Sequence, residues 1–151
     1  MTHEHWMQFA IREAEKALIK GEVPIGAVVV MENRIVGRGH NLVETLQDAT
    51  AHAEMLAITA AAGTAASWRL EGATLYVTVE PCPMCSGALL LSRISGLIYG
   101  TEDARFGACG SVSNVIGTNP FGPPIQIATG VKRAECQGLL QEFFKKLRQK
   151  P

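Results

Sequence analysis

The stretch ATLYVTVEPCPMCSGALLLSRISGLIYG, residues 73–100, decides the fold. Its first seven residues, 73–79, are an apolar, partly β-branched run, which reads as a buried strand. Pro83 suits the first turn of a helix, and the apolar positions after it carry that helix to about Ser92. A second short apolar run, GLIYG at 96–100, follows. Strand, helix and strand in that order make a parallel pair with a right-handed crossover.

Upstream, residues 4–20 place Trp6, Phe9, Ala10, Ala14, Ala17 and Leu18 at helical spacing, and Gly21 stops the helix. IGAVVVM (25–31) reads as a buried strand, and the turn MENR returns it as a hairpin over 34–40. A polar stretch leads to a helix over 52–62, ended by Gly63. Downstream, 101–124 is rich in loops, with short helical turns expected near 102–105 and 111–115. Residues 124–130 form a fifth strand and 133–149 a closing helix. No linker, repeat or low-complexity tract interrupts the chain, so 1–151 is expected to be a single domain. The order of elements predicts an α/β fold, one mixed sheet with helices on its faces.

The 151 residues are 47% apolar and 19% charged, with a formal net charge of zero. Such a composition is globular and carries no strong overall field for nucleic acid. The charge is uneven, however: Lys132, Arg133, Lys145, Lys146, Arg148 and Lys150 outnumber Glu135 and Glu142 in the last twenty residues. This basic end suits either a phosphate contact or a solvated helix terminus favoured by the helix dipole. The start, MTHEHWMQFA, has no basic and apolar leader, and no apolar run is long enough to span a membrane. The expectation is a cytoplasmic protein without membrane contact, in which four cysteines do not form a disulfide framework.

Cys82 and Cys85 stand at the strand-to-helix junction, where a helix N-terminus favours thiolate. Alone, C-x-x-C fits a redox pair, half of a closed zinc site, or coincidence. His52, thirty residues before Cys82, also opens a predicted helix. Cys109 and Cys136 are isolated, which leaves three plausible protein ligands: His52, Cys82 and Cys85. Three ligands plus water is the catalytic zinc arrangement, whereas structural sites are closed with four. Zinc brings the pKa of a bound water toward about 7, which provides hydroxide at neutral pH. Glu54, two residues from His52, then fits the role of proton carrier. The pattern HAE…PCPMC is the signature of the zinc deaminases.

On these residues the chain resembles the cytidine deaminase-like superfamily, and within it the bacterial tRNA adenosine deaminases. GEVPIGAVVV, GHN, TAHAEMLAI, TLYVTVEPCPMCSGALLLSRI, YGTEDARFGACGS and CQGLLQEFF are similar to that family's segments, in order, over nearly the whole chain. The resemblance implies a three-layer α/β/α sandwich around a five-stranded mixed sheet, one zinc ion per chain and a homodimer. It also implies hydrolysis of adenosine to inosine at the wobble position of a tRNA anticodon, by zinc-bound hydroxide with Glu54 as proton shuttle. In that reading Asn41 hydrogen-bonds the base, the backbone around Val28 and Ala53 lines its pocket, and Asp103 meets the nucleotide backbone. Lys145, Lys146 and Arg148 are the candidate contacts to the anticodon stem.

The sequence departs from the family at Leu42-Val43, at Asp48-Ala49-Thr50, at Glu102 and in NPFGPPIQI, where an Asn-His pair is missing. Losing cations there, and adding the acid of Glu102, weakens a phosphate-binding surface. A second reading is therefore a deaminase of a free nucleobase or nucleoside such as guanine or cytosine. A third is a structural zinc module, with Cys109 as the only candidate fourth ligand. His3, His5 and His40 read as structural. Trp68, Phe143 and Phe144 read as packing, although an aromatic of the closing helix could reach a dimer partner's site. Met84 reads as core filling behind the metal.

Overall fold

The computed structural model describes residues 1–149; Lys150, counted in the basic end, lies outside the described residues. The elements follow in the order α1 (His3–Ile19), β1 (Gly26–Met31), β2 (Arg34–His40), α2 (Val43–Leu46) and α3 (Ala53–Ala65). Then come β3 (Thr74–Val79), α4 (Pro83–Leu91), β4 (Gly96–Thr101), β5 (Gln126–Thr129) and α5 (Arg133–Gln149). The strands form one five-stranded sheet in the order β2-β1-β3-β4-β5. β1 runs antiparallel to β2 and β3, while β3, β4 and β5 are mutually parallel, so the sheet is mixed as expected.

Alternation along the strands builds two cores. Val29, Leu75, Val77, Leu97 and Tyr99 point to one face, where they pack with Ala57 and Ala61 of α3 and Leu89 of α4. Val28, Val30, Tyr76 and Ile98 point to the other, beneath Trp6, Met7 and Ala10 of α1 and Cys136 of α5. The result is the expected α/β/α sandwich. The layer of α3 is thin because its buried positions are alanines and the strand beneath it carries glycines. A Cβ on Gly39 would strike the Ala53 carbonyl, and one on Gly37 the Ala57 carbonyl. This close approach sets the height of α3 over the sheet.

Three local expectations are corrected. Gly63 does not end α3; the helix runs to Ala65 and closes on Ala66 at φ 52°, because buried Ala61 anchors its last turns to the sheet. The polar stretch holds a short helix, α2, whose backbone N–H groups at Glu44 and Thr45 donate to the buried carboxylate of Glu22, 3.1 and 2.6 Å away. That cap comes from a distant residue, so no local signal announces it. Near 102–105 one helical turn is closed by the Gly107 N–H on the Asp103 carbonyl, at 3.0 Å, but none forms at 111–115. The N–H groups of Asp103, Cys109 and Ser111 donate instead to buried Glu80, and Cys109 and Asn114 form an antiparallel bridge. Among the described residues no helix is long and apolar enough to cross a membrane.

Candidate active site

His52 is the N-cap of α3 and Cys82 the N-cap of α4, so two helix N-termini converge at the C-terminal end of β3. Cys85 lies one turn into α4 and is fully buried. His52 Nδ1 stands 3.6 Å from both Cys82 Sγ and Cys85 Sγ, and the three donor atoms lie within 4.8 Å of one another. Donors bound to one tetrahedral zinc at about 2.1–2.3 Å sit roughly 3.5 Å apart, so spacing and donor types both fit that ion. Among the described residues Cys109 is not part of the group: its sulfur lies 3.5 Å from the Ser86 hydroxyl, which removes the fourth ligand of a closed site.

The electrostatics suit a cation. The Cys82 thiol is brought down to about 4, first by its hydrogen bond with Cys85 and then by His52. Cys85 moves in the opposite direction, because the neighbouring Cys82 sulfur takes its hydrogen bond and burial adds to the effect. The His52 ring is raised, chiefly by Cys82. Glu54 is 4% exposed, and burial pushes its carboxyl up to about 7, with the negative charge of Cys82 adding to the rise.

His52, Glu54 and Cys82 line a cavity of about 700 Å³ that also takes in Asn41, Val79, Asp103, Phe106 and Phe144. Asn41 is held there by two contacts: its Oδ1 accepts from Val43 N at 3.2 Å, and its Nδ2 donates to the Val23 carbonyl at 3.4 Å. One Nδ2 hydrogen remains for a ligand. Asp103 uses Oδ1 to accept from the backbone of Arg105 and Phe106, at 2.9 and 3.2 Å, which turns that loop; its Oδ2 stays available. The side chains of Val28 and Ala53 point away from the cavity: strand alternation sends Val28 toward α1, and Ala53 packs inward against the sheet, while Val23 and Ile25 line the wall.

Several lining residues escaped the sequence reading. Arg105 and Phe106 come from the loop that Glu80 organises, and Leu140 and Phe144 from α5. Only the i, i+4 spacing of Leu140 and Phe144 hinted at a shared face. Lys145, Lys146 and Arg148 follow Phe144 and are exposed, with Lys146 paired to Glu142 at 3.2 Å. The acid at Glu102 is offset: its carboxylate lies 2.6 Å from the Arg133 guanidinium. Trp68 is not packing, being 58% exposed.

Comparison with known proteins places this arrangement. The model of the MafB19-like deaminases matches residues 1–148. The tRNA-specific adenosine deaminase of Bacillus subtilis (strain 168) is 50% identical over 147 residues, which are 97% of this chain and 91% of the relative. A solved tRNA:A34 deaminase, studied for A-to-I editing at the wobble position, superposes with a TM-score of 0.85 at 38% identity, over 90% of this chain and 99% of the other. A guanine deaminase from Bacillus subtilis gives a TM-score of 0.65 at 36% identity, over 71% and 72% of the two chains. Match over nearly the whole chain shows the family: the chain belongs to the MafB19-like deaminases, enzymes of the cytidine deaminase-like fold.

Proposed function

We propose that the protein is a zinc-dependent hydrolytic deaminase that converts adenosine to inosine at the wobble position of a tRNA anticodon. The observation that carries this reading is the chemistry of the cavity rim. Phe106 and Phe144 offer ring faces, Arg105 offers a guanidinium, and the cations of α5 continue outward. Aromatic faces beside cations suit a base turned out of a single-stranded loop, with phosphates on either side. The relatives named as tRNA deaminases, similar over almost the full chain, support the same substrate.

His52, Cys82 and Cys85 would hold the zinc ion. When bound, it supplies the Lewis acidity that makes water a nucleophile near neutral pH. Glu54 takes a proton from that water and passes protons to the base and its departing amine. The C6–O bond forms, the C6–N bond breaks, and ammonia leaves. Asn41 presents its free Nδ2 hydrogen to the base, and Asp103 its Oδ2 to the ribose side. The enzyme acts as a homodimer in the cytoplasm, where its substrate is found; sedimentation velocity tests the dimer.

One observation favours a second reading, deamination of a free base: the 36% identity to a guanine deaminase. The deciding experiment offers zinc-loaded protein a synthetic anticodon stem-loop, and in parallel free guanine, cytosine and adenosine. Inosine at the wobble position alone supports the tRNA reading. Turnover of a free base with none on RNA replaces it. Changing Lys145, Lys146 and Arg148 to alanine is expected to weaken RNA binding and flatten its salt dependence, by up to about three counterions' worth of slope.

A further inference from the structure

A second cavity, of about 450 Å³, lies at the opposite end of the sheet. The catalytic cavity opens where the parallel strands end, at Val79 and Glu102; this one opens where they begin, at Thr74, Gly96 and Gln126. One wall is the 119–124 segment. Phe121 in that wall is 43% exposed, and the Arg93 guanidinium stands 4.2 Å from its ring centroid. The same guanidinium lies 5.4 Å from the exposed Trp68 ring, and that of Arg69 lies 4.7 Å from it.

Two features set Arg93 apart. Its backbone is held at φ 62°, a region costly for a residue with a Cβ. No carboxylate lies within ion-pair distance of it among the described residues, and its side chain donates to the Leu91 carbonyl at 2.8 Å. A guanidinium held over rings and bonded to one carbonyl keeps further N–H donors for an anion. The Arg69–Glu71 pair, at 3.4 Å and with both side chains more than half exposed, is a weak competitor for Arg69.

We propose that this cavity binds a nucleotide, free or within an RNA strand, with the base against Phe121, the phosphate on Arg69 and Arg93, and Trp68 beside those two arginines at the rim. Charge and ring faces together select it: a phosphate takes paired guanidinium donors, and a base takes an aromatic face. The volume lies within the range of small-molecule sites. The inference holds whichever base the catalytic site deaminates.

Intrinsic fluorescence tests it in the full chain, which has two tryptophans, Trp6 at 7% and Trp68 at 58% exposure. The probes are AMP, adenosine, and the single-stranded RNA tetranucleotide AAAA. AMP or the tetranucleotide is expected to quench the emission, and adenosine to bind about tenfold more weakly than AMP. Trp68→Phe should remove the signal. Arg93→Gln, and separately Arg69→Gln, should each raise the dissociation constant about tenfold. Quenching by AMP identifies a free-nucleotide site, and quenching by the tetranucleotide alone a strand site. No quenching by either at millimolar concentration overturns the proposal, as does an unchanged titration in both arginine variants. So does Trp68 emission that follows protein concentration alone, which would mark a surface between two copies.

Discussion

At the scale of single residues, the chemistry was readable because it sits in two compact motifs. The proposed ligand and proton carrier stand two residues apart, and the two thiols three apart, spacings that helix geometry constrains. Glu54→Gln keeps the shape of the side chain and removes its basicity. It is expected to lower kcat by about 10²–10⁴-fold while zinc content stays at one per chain, measured by single-turnover assay and metal analysis. Cys82→Ser should lose metal and activity together, so the two variants separate proton transfer from ion binding. The residues that shape the pocket were harder to see. The resemblance points to the backbone around Val28, whose side chain strand parity sends to the far core, while Val23 and Ile25 line the cavity. Phe144 was read as packing, but α5 brings it over the cavity from ninety residues away (144 against 54). Such placement depends on how helices lie on the sheet, which no local spacing encodes.

Elements and their connections show the same division. Strands and long helices follow periodicity, and every strand expected in the sequence is present. The two segments least legible in the sequence, 42–47 and 102–115, are shaped by buried carboxylates from elsewhere as well as by their own residues. Glu22 accepts from Glu44 N, Thr45 N and the Thr45 hydroxyl; Glu80 accepts from three backbone N–H groups and the Ser111 hydroxyl. Each anchors one wall of the cavity, the wall that follows Asn41 and the wall that holds Asp103. Glu80→Ala would leave those donors without a partner, at a cost of roughly 3 kcal/mol, and free the loop. The expected result is a raised KM for RNA with zinc retained. Burial alone would raise both acids, but the hydrogen bonds they accept outweigh it, so both are held below the ordinary glutamate value of 4.5. A folded pKa below the unfolded one means that the contribution to stability is full above 4.5 and is lost as pH falls through the folded value. Urea midpoints should therefore decline below pH 4.5, and less steeply in Glu80→Gln.

The whole molecule places its chemistry at the carboxyl ends of parallel strands, the usual location in sheets of this kind. What holds it there is the close seat of α3 on Gly37 and Gly39. Gly39→Val would lift the helix that carries His52 and Glu54. Stability is expected to fall by about 2–3 kcal/mol, and the apparent zinc affinity to fall with it, read by thermal melts and chelator competition. The family and architecture were legible from one signature and one βαβ pattern. The interdigitation of alanines with glycines was not, since small residues carry no periodic signal of their own.

The exposed bend between α3 and β3, at 66–69, divides the centre more evenly than its size suggests. His52 and Glu54 lie before it, Cys82 and Cys85 after it, and the β1–β3 ladder joins the two sides without passing through the bend. The active centre is thus a meeting of two fragments that covalent continuity does not have to hold together. Pieces 1–67 and 68–151, produced separately, are expected to restore deaminase turnover on mixing, and a protease cut at Arg69 should leave an active enzyme that separates into two bands only on a denaturing gel.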